Sequence, residues 1–293
     1  MVRSFSHYIA IDWSGAKGSH HKAIAMAVAD ADGGPPVLVQ RERGWSRLEL
    51  LEVLRDELPH DSFVGVDLGV SLPFADCGGF FPHWPSSPAD ARQLWAMIDA
   101  ICAADDHLTC GSFVLHPELG EYFHHGTRKG EHFGCDGAAH GNGRLRVTEH
   151  AQARIGLRPT SNFKLVGASQ VGKSSLTGMR VLHALRGHLS VWPVDPLPQT
   201  GPVIAEIYTS MAALAAGRTA ATAKIKTREE LDAALVALGS PPLGGSGVID
   251  DHSSDALLTA AWMRANAHRP ELWAPAGMTR EVARTEGWTF GVP

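Results

Sequence analysis

The chain predicts an α/β fold: a mixed sheet, made of a three-strand meander followed by parallel strands, flanked by helices and carrying a mid-chain insertion. Three observations predict it. Two short apolar runs, HYIAID and SFVGVD, each end in an aspartate, Asp12 and Asp67. Between them lie two more strand-like runs whose short connections suit antiparallel neighbours. One segment after these, from Ser46, changes from the two-residue period of a strand to the 3.6-residue period of a helix before the strand pattern returns.

The elements follow in order. HYIAIDWSG is an apolar strand closed by an acid and a glycine turn. KAIAMAVADADGG is a second β-like run, although its alanines leave it ambiguous with helix, and Asp32, Gly33 and Gly34 mark its turn. PPVLVQRERG is the third strand. In SRLELLEVLRDELP, Leu48, Leu51, Val53, Leu54 and Leu58 fall largely on one helical side. Ser46 is an N-cap with Glu49 three residues on, and Pro59 stops the helix. SFVGVDLGVSLPF is nearly all apolar, so it reads as a central strand buried on both faces.

From Phe74 the pattern breaks. CGGFFPHWPSSP, a helical ADARQLWAMIDAICAADD, and a loop crowded with His, Gly and Arg read as an insertion or subdomain over 74–160 within a single domain spanning 1–293. Beyond it, SSLTGMRVLHALRG is an amphipathic helix, and SVWPVD and GPVIAEIYTS are strands, the second carrying Glu206. TREELDAALVALG and DDHSSDALLTAAWMRANAH are helices, followed by a coil-like tail that includes EGWTFG.

Composition sets the outer limits. The formal net charge is −5, which disfavours a protein whose whole surface grips nucleic acid but leaves room for a local basic groove. No apolar run approaches the length of a membrane helix, and the N-terminus enters a strand pattern instead of a secretory signal. A cytoplasmic protein without membrane contact is expected. Cys77, Cys102, Cys110 and Cys135 form no C-x-x-C pair, so reduced thiols are expected.

GASQVGKSS, from Gly167, satisfies the phosphate-loop spacing G-x-x-x-x-G-K-[ST]. Such a loop needs a buried strand before it and an acid-terminated strand after it. PTSNFKLV is a poor buried strand, and SVWPVD carries Pro193 before Asp195. The motif therefore reads first as a turn capped by Ser174 at the start of a helix. Lys173 and Ser174 would bind a nucleotide only if the phosphate-loop reading holds.

Four acids sit where the fold should deliver them to one place: Asp12 and Asp67 at strand ends, Glu206 near the end of a later strand, and Asp255 in the first turns of the last long helix. Asp251 and Asp255 are four residues apart and His252 and Asp255 three, so either pair shares a helix face. Clustered carboxylates repel unless a cation joins them, and hard cations such as Mg²⁺ or Mn²⁺ take such oxygen ligands. Two ions so held cleave phosphodiesters in many enzymes. Each acid also has a plainer reading, since an Asp after a strand caps turns and Asp250 or Asp251 serves as an N-cap.

At these residues the chain resembles a known family. IAIDWSG, the meander, the helix and VGVDLGV look like the RNase H-like fold, and HSSDALL resembles the terminal-helix motif of its Holliday-junction resolvase branch, where H-x-x-D or D-x-x-D supplies the last metal ligands. More closely, the sequence resembles an uncharacterised bacterial family of predicted RNase H-like nucleases, the domain of unknown function 429. The matching stretches are Asp12 to Gly15, GASQVGKSSLTGMRVLHAL, AEIYTS, DDHSSDALL and EGWTFG. The resemblance covers most of the chain, with 74–160 matching loosely. It implies metal-dependent cleavage of nucleic acid, with Asp12, Asp67, Glu206 and Asp255 as catalytic metal ligands and His252 and Asp251 as secondary ones. Two positions depart: Thr209 stands where the family pattern has proline, and Asp67 where the resolvase branch favours Glu.

The insertion contains His116, His124, His125, His132, Cys135, His140 and His150. His132-x-x-Cys135 is half of a zinc site, but no regular partner pair follows. Arg128, Lys129, Arg144, Arg146 and Arg154 make the segment locally basic, either as a solvated loop or along a phosphate backbone. Two rival functions stand beside the nuclease. An ATP-binding protein, related to actin-like ATPases and sugar kinases, would use D-x-G turns and an adenosine turn such as Gly244-Gly245. A non-catalytic binding module would keep the fold alone.

Overall fold

The computed structural model describes residues 3–134, 143–167, 171–219 and 224–293. The chain opens with β1 (His7–Asp12), β2 (Ala25–Asp30) and β3 (Val37–Val39), then α1 (Arg47–Glu52) and β4 (Ser62–Val66). The 74–160 segment holds α2 (Ala91–Ile101), α3 (Gly111–Val114), a small hairpin of β5 (His124–His125) and β6 (Arg128–Lys129), and α4 (Val147–Arg154). Then come α5 (Val171–Ala184), β7 (Ser190–Trp192), β8 (Val203–Glu206), α6 (Thr209–Ala215), α7 (Arg228–Ala237), α8 (Asp251–Asn266) and α9 (Arg280–Thr285). Among the described residues no helix is long and apolar enough to cross a membrane.

Among the described residues, six strands form one mixed sheet in the order β3-β2-β1-β4-β8-β7. β1, β2 and β3 pair antiparallel, whereas β4, β8 and β7 continue parallel from β1. Pro193 costs this sheet nothing, because β7 is an edge strand that ends at Trp192.

The two-residue period of the strands divides the core. Ile9, Ile11, Val64 and Val66 face a layer that includes Leu94 and Trp95 of α2 and Leu176 and Met179 of α5. Tyr8, Ala10, Phe63, Val203 and Ala205 face the opposite layer, with Leu231 of α7 and Leu257 and Trp262 of α8. The alanines of the second run now have a reason. Ala25, Ala27 and Ala29 turn toward α8, whose own Ala256, Ala260 and Ala261 are buried in the same layer, so small side chains let helix and sheet approach. The 74–160 segment supplies Phe80, Phe81, Leu94, Trp95 and Phe113 to the same core as the sheet.

The helix from Ser46 differs from its expected form. Ser46 and Glu49 make the expected capping box, but the α-helix stops at Glu52 and a π-helical turn runs from Val53 to Glu57. Its buried face carries Arg47, Leu50, Val53 and Leu54, while Leu48 is 47% exposed. Arg47 decides the rotation: its guanidinium reaches inward to donate to the carbonyls of Ser14, Ala16 and His107. Burial lowers the Arg47 pKa to about 10.

Candidate active site

In parallel sheets, ligands bind beyond the carboxyl ends of the strands. Here that edge carries the acids. Ile11 pairs with Val66, so the next step of the register sets Asp12 beside Asp67, whose N–H continues the ladder to the Ile11 carbonyl at 2.9 Å. Val66 in turn pairs with Glu206 on β8. The start of α8 completes the set, with Asp250 as its N-cap accepting from the Ser253 N–H at 2.9 Å. Asp12, Asp67, Glu206, Asp251, His252 and Asp255 all line one cavity of about 530 Å³.

Within it the acids are not equivalent. Asp12 is 7% exposed, and its Oδ2 lies 2.7 Å from Nδ1 of His252. Burial raises its pKa, and the bond to His252 opposes that rise. Asp67 is held well above the usual carboxylate range by burial, then by the charges of Asp12 and Asp255. Its one opposing hydrogen bond comes from the Thr209 hydroxyl at 3.1 Å. The departure from proline at this position therefore matters, because it gives Asp67 a donor. Asp255 is raised to about 7 by burial, then by Asp12 and Asp251. His252 is raised chiefly through its bond to Asp12. Asp251, farther out, pairs with Lys224.

Glu206 shares the cavity but not this freedom. Its Oε1 and Oε2 accept from Arg146 Nη2 and Nη1 at 2.6 and 2.8 Å, and Oε2 also accepts from the Val70 N–H at 2.8 Å. The Thr289 hydroxyl donates to Oε1 as well. Arg146 is equally committed. Its guanidinium bonds Glu149 through Nε and Nη2, Glu206 through both terminal nitrogens, and the Glu286 carbonyl, which uses all five of its donors. Burial alone would lower the Arg146 pKa, but the charges of Glu149 and Glu206 outweigh it and raise it. The expectation that Glu206 ligates a metal thus meets a side chain already neutralised. The closing EGWTFG explains itself here too. Glu286 accepts from the backbone N–H groups of Phe74, Ala75 and Val147, tying the ends of the 74–160 segment to the tail, and Thr289 reaches Glu206.

The phosphate-loop look-alike has a packing role. Residues 168–170 lie outside the described residues, but α5 begins at Val171 and Lys173 and Ser174 are in its first turn. The segment before it is no strand of the sheet; Lys164 makes a single bridge to His124. Asp195 is occupied by Arg92 and accepts from the Val191 N–H. The glycines serve close approach: a Cβ on Gly15 would stand 2.3 Å from Lys173 C and Ser174 N, and one on Gly172 would stand 2.3 Å from the Asn162 carbonyl oxygen. The turn after Asp12 is thus seated directly on the start of α5. Ser174 lines the acidic cavity, whereas Gly244 and Gly245 do not.

Of Arg128, Lys129, Arg144, Arg146 and Arg154 in the 74–160 segment, Arg144 and Arg146 are committed inside the fold. Arg144 is buried against Asp76 and three backbone carbonyls, and Arg128 pairs with Glu121. Arg146 is the counter-ion just described, which sequence spacing could not reveal because Glu206 lies sixty residues away. Arg128, Lys129 and Arg154 lie exposed at the surface. Cys135 and His140 lie outside the described residues. Cys102 and Cys110 are free and buried, whereas Cys77 is disulfide-bonded, contrary to the reduced thiols expected.

A divalent cation suits the donor chemistry of Asp12, Asp67 and Asp255. They are hard oxygen donors, and the negative charge that burial makes costly on each of them is the charge a cation would balance. Among the described residues, no three His, Cys, Asp or Glu side chains already stand in a ligating arrangement. No family model, no curated protein and no solved structure matches the chain.

Proposed function

We propose that this protein is a divalent-metal-dependent hydrolase of phosphodiester bonds in nucleic acid, built on an RNase H-like sheet. One observation carries the reading: Asp12, Asp67 and Asp255, from two neighbouring strand ends and one helix, line one cavity, where burial and the charge of Asp12 raise the proton affinity of both Asp67 and Asp255. The meander of β1, β2 and β3 continued by parallel β4 and β8 supports the RNase H-like part, since that is the order the resemblance implies.

Asp12, Asp67 and Asp255 would hold Mg²⁺ or Mn²⁺, which would supply Lewis acidity at a phosphoryl oxygen. Glu206 takes a positioning role instead: tied to Arg146 and to the Val70 N–H, it fixes the backbone just beyond Asp67. Thr209 favours the ionised form of Asp67 by donating to Oδ2, against the rise that burial and the neighbouring acids impose. His252, held by Asp12 through Nδ1, keeps Nε2 for proton transfer to the leaving oxygen.

The test is cleavage of single-stranded, duplex and branched DNA and RNA with Mg²⁺ or Mn²⁺. Cleavage that Asp12→Asn abolishes is expected. Inertness toward every one of these substrates with both metals would contradict the proposal and favour a non-catalytic binding module.

A further inference from the structure

We propose that the bound strand continues out of the acidic cavity into a second one, where Lys17, Lys173 and His125 hold the phosphate next to the one cleaved. This rests on the nucleic-acid hydrolase reading above. The second cavity measures about 440 Å³. It shares two walls with the first. Along the turn after β1, Asp12 and Trp13 line the acidic cavity while Gly15 and Lys17 line the second; along α5, Ser174 lines the first and Lys173 the second. One residue step, about 3.8 Å of backbone, separates the two on α5. The contact of Gly15 with the Lys173–Ser174 peptide locks these walls together.

Unlike its acidic neighbour, the second cavity sets two lysines, Lys17 and Lys173, against two aspartates, Asp105 and Asp106. Neither Lys17 nor Lys173 forms an ion pair among the described residues. Both charges act on His125, whose pKa is lowered by burial first, then by Lys173 and Lys17, so the three groups face a common space. The two acids balance the lysines in formal charge, but Asp105 turns both carboxylate oxygens to Ser112 and pairs with neither lysine among the described residues. The wall also has apolar members, among them Ala104, Val114 and Leu115, and Leu115 is 74% exposed. A cationic side beside an apolar side suits a nucleotide unit, with the phosphate on the lysines and the sugar or base against the aliphatic wall. A polynucleotide spans both cavities, whereas a ligand with a single phosphate group fills one.

The experiment uses the full chain carrying Asp12→Asn, so that the strand is not cut while it is measured. Binding of a labelled single strand, DNA and RNA separately, is followed by fluorescence anisotropy across a salt series, with ATP and inorganic phosphate as further probes. Adding Lys17→Gln and Lys173→Gln is expected to weaken both strands alike and to reduce the salt slope by about 0.7, the share of the one phosphate the two lysines hold on a single strand. The charge-retaining pair Lys17→Arg and Lys173→Arg is expected to keep the parent slope. An unchanged slope in the glutamine pair, or a lost slope in the arginine pair, would overturn the inference while leaving the hydrolase reading intact. Loss of ATP or phosphate binding with strand binding preserved would overturn it in favour of a free-anion site. A parent that binds no strand at all would overturn both.

Discussion

Replacing Arg146 by Met removes the counter-ion of two interior carboxylates. Arg146 is 1% exposed, and Glu149 and Glu206 are 4% exposed each. Methionine fills part of the space but returns none of the five hydrogen bonds, leaving both acids without their cation. Breaking a buried ion pair from one side costs about 3–5 kcal/mol. A chain of 293 residues loses about 0.6 kcal/mol of stability per degree near its midpoint, so Tm is expected to fall by roughly 5–8 °C. The deficit also has a pH signature. Carboxyls stripped of a cation bind protons more tightly in the folded than in the unfolded state, so stability falls as pH rises through the acid range. The loss should therefore be smaller at mildly acidic than at alkaline pH. Differential scanning calorimetry at two pH values measures both effects, and the triple variant with Glu149→Gln and Glu206→Gln should recover much of the loss. A variant with wild-type Tm at both pH values would refute the assignment of Arg146 as counter-ion.

Two further outcomes follow from the same geometry. Asp255 is lifted from 3.8 to about 7 by burial and by Asp12 and Asp251; its cost to stability is absent below roughly pH 4, grows as pH rises and is complete above roughly pH 7. Asp255→Asn should thus raise Tm at alkaline pH, leave it unchanged at low pH and abolish cleavage; equal Tm values at alkaline pH would contradict the crowding of these acids. Gly15→Ala places a Cβ 2.3 Å from two backbone atoms of α5, so it should cost about 1–3 kcal/mol and impair cleavage by displacing the turn after Asp12. Unaltered melting and cleavage would show that the turn is not seated on α5 as described.

Much of the sheet was legible because its signals are local. Acid-terminated apolar runs marked β1 and β4, turn residues separated the meander, and Pro193 counted against a central strand. The N-cap at Asp250 and the shared face of Asp251 and Asp255 were equally local. What stayed hidden depends on distant partners. Arg144 and Arg146 read as a basic loop because Asp76 and Glu206, which bury them, lie far away in the chain. Glu206 read as a ligand for the same reason. Gly172 of GASQVGKSS fits a nucleotide motif because close packing and phosphate binding ask for the same residue; its approach to Asn162, like that of Gly15 to Lys173 and Ser174, is one of packing. Lys17 carried no pattern at all; its meaning comes from the cavity it shares with Lys173 and His125.

The most direct test is calorimetric titration of the metal-stripped protein with Mn²⁺, without any substrate, across wild type, Asp12→Asn, Asp67→Asn and Asp255→Asn. Saturable binding by wild type that each of the three substitutions abolishes or weakens at least tenfold is the expected result. Absence of binding by wild type, or affinity untouched by all three substitutions, would mean that these acids gather for some purpose other than holding a cation.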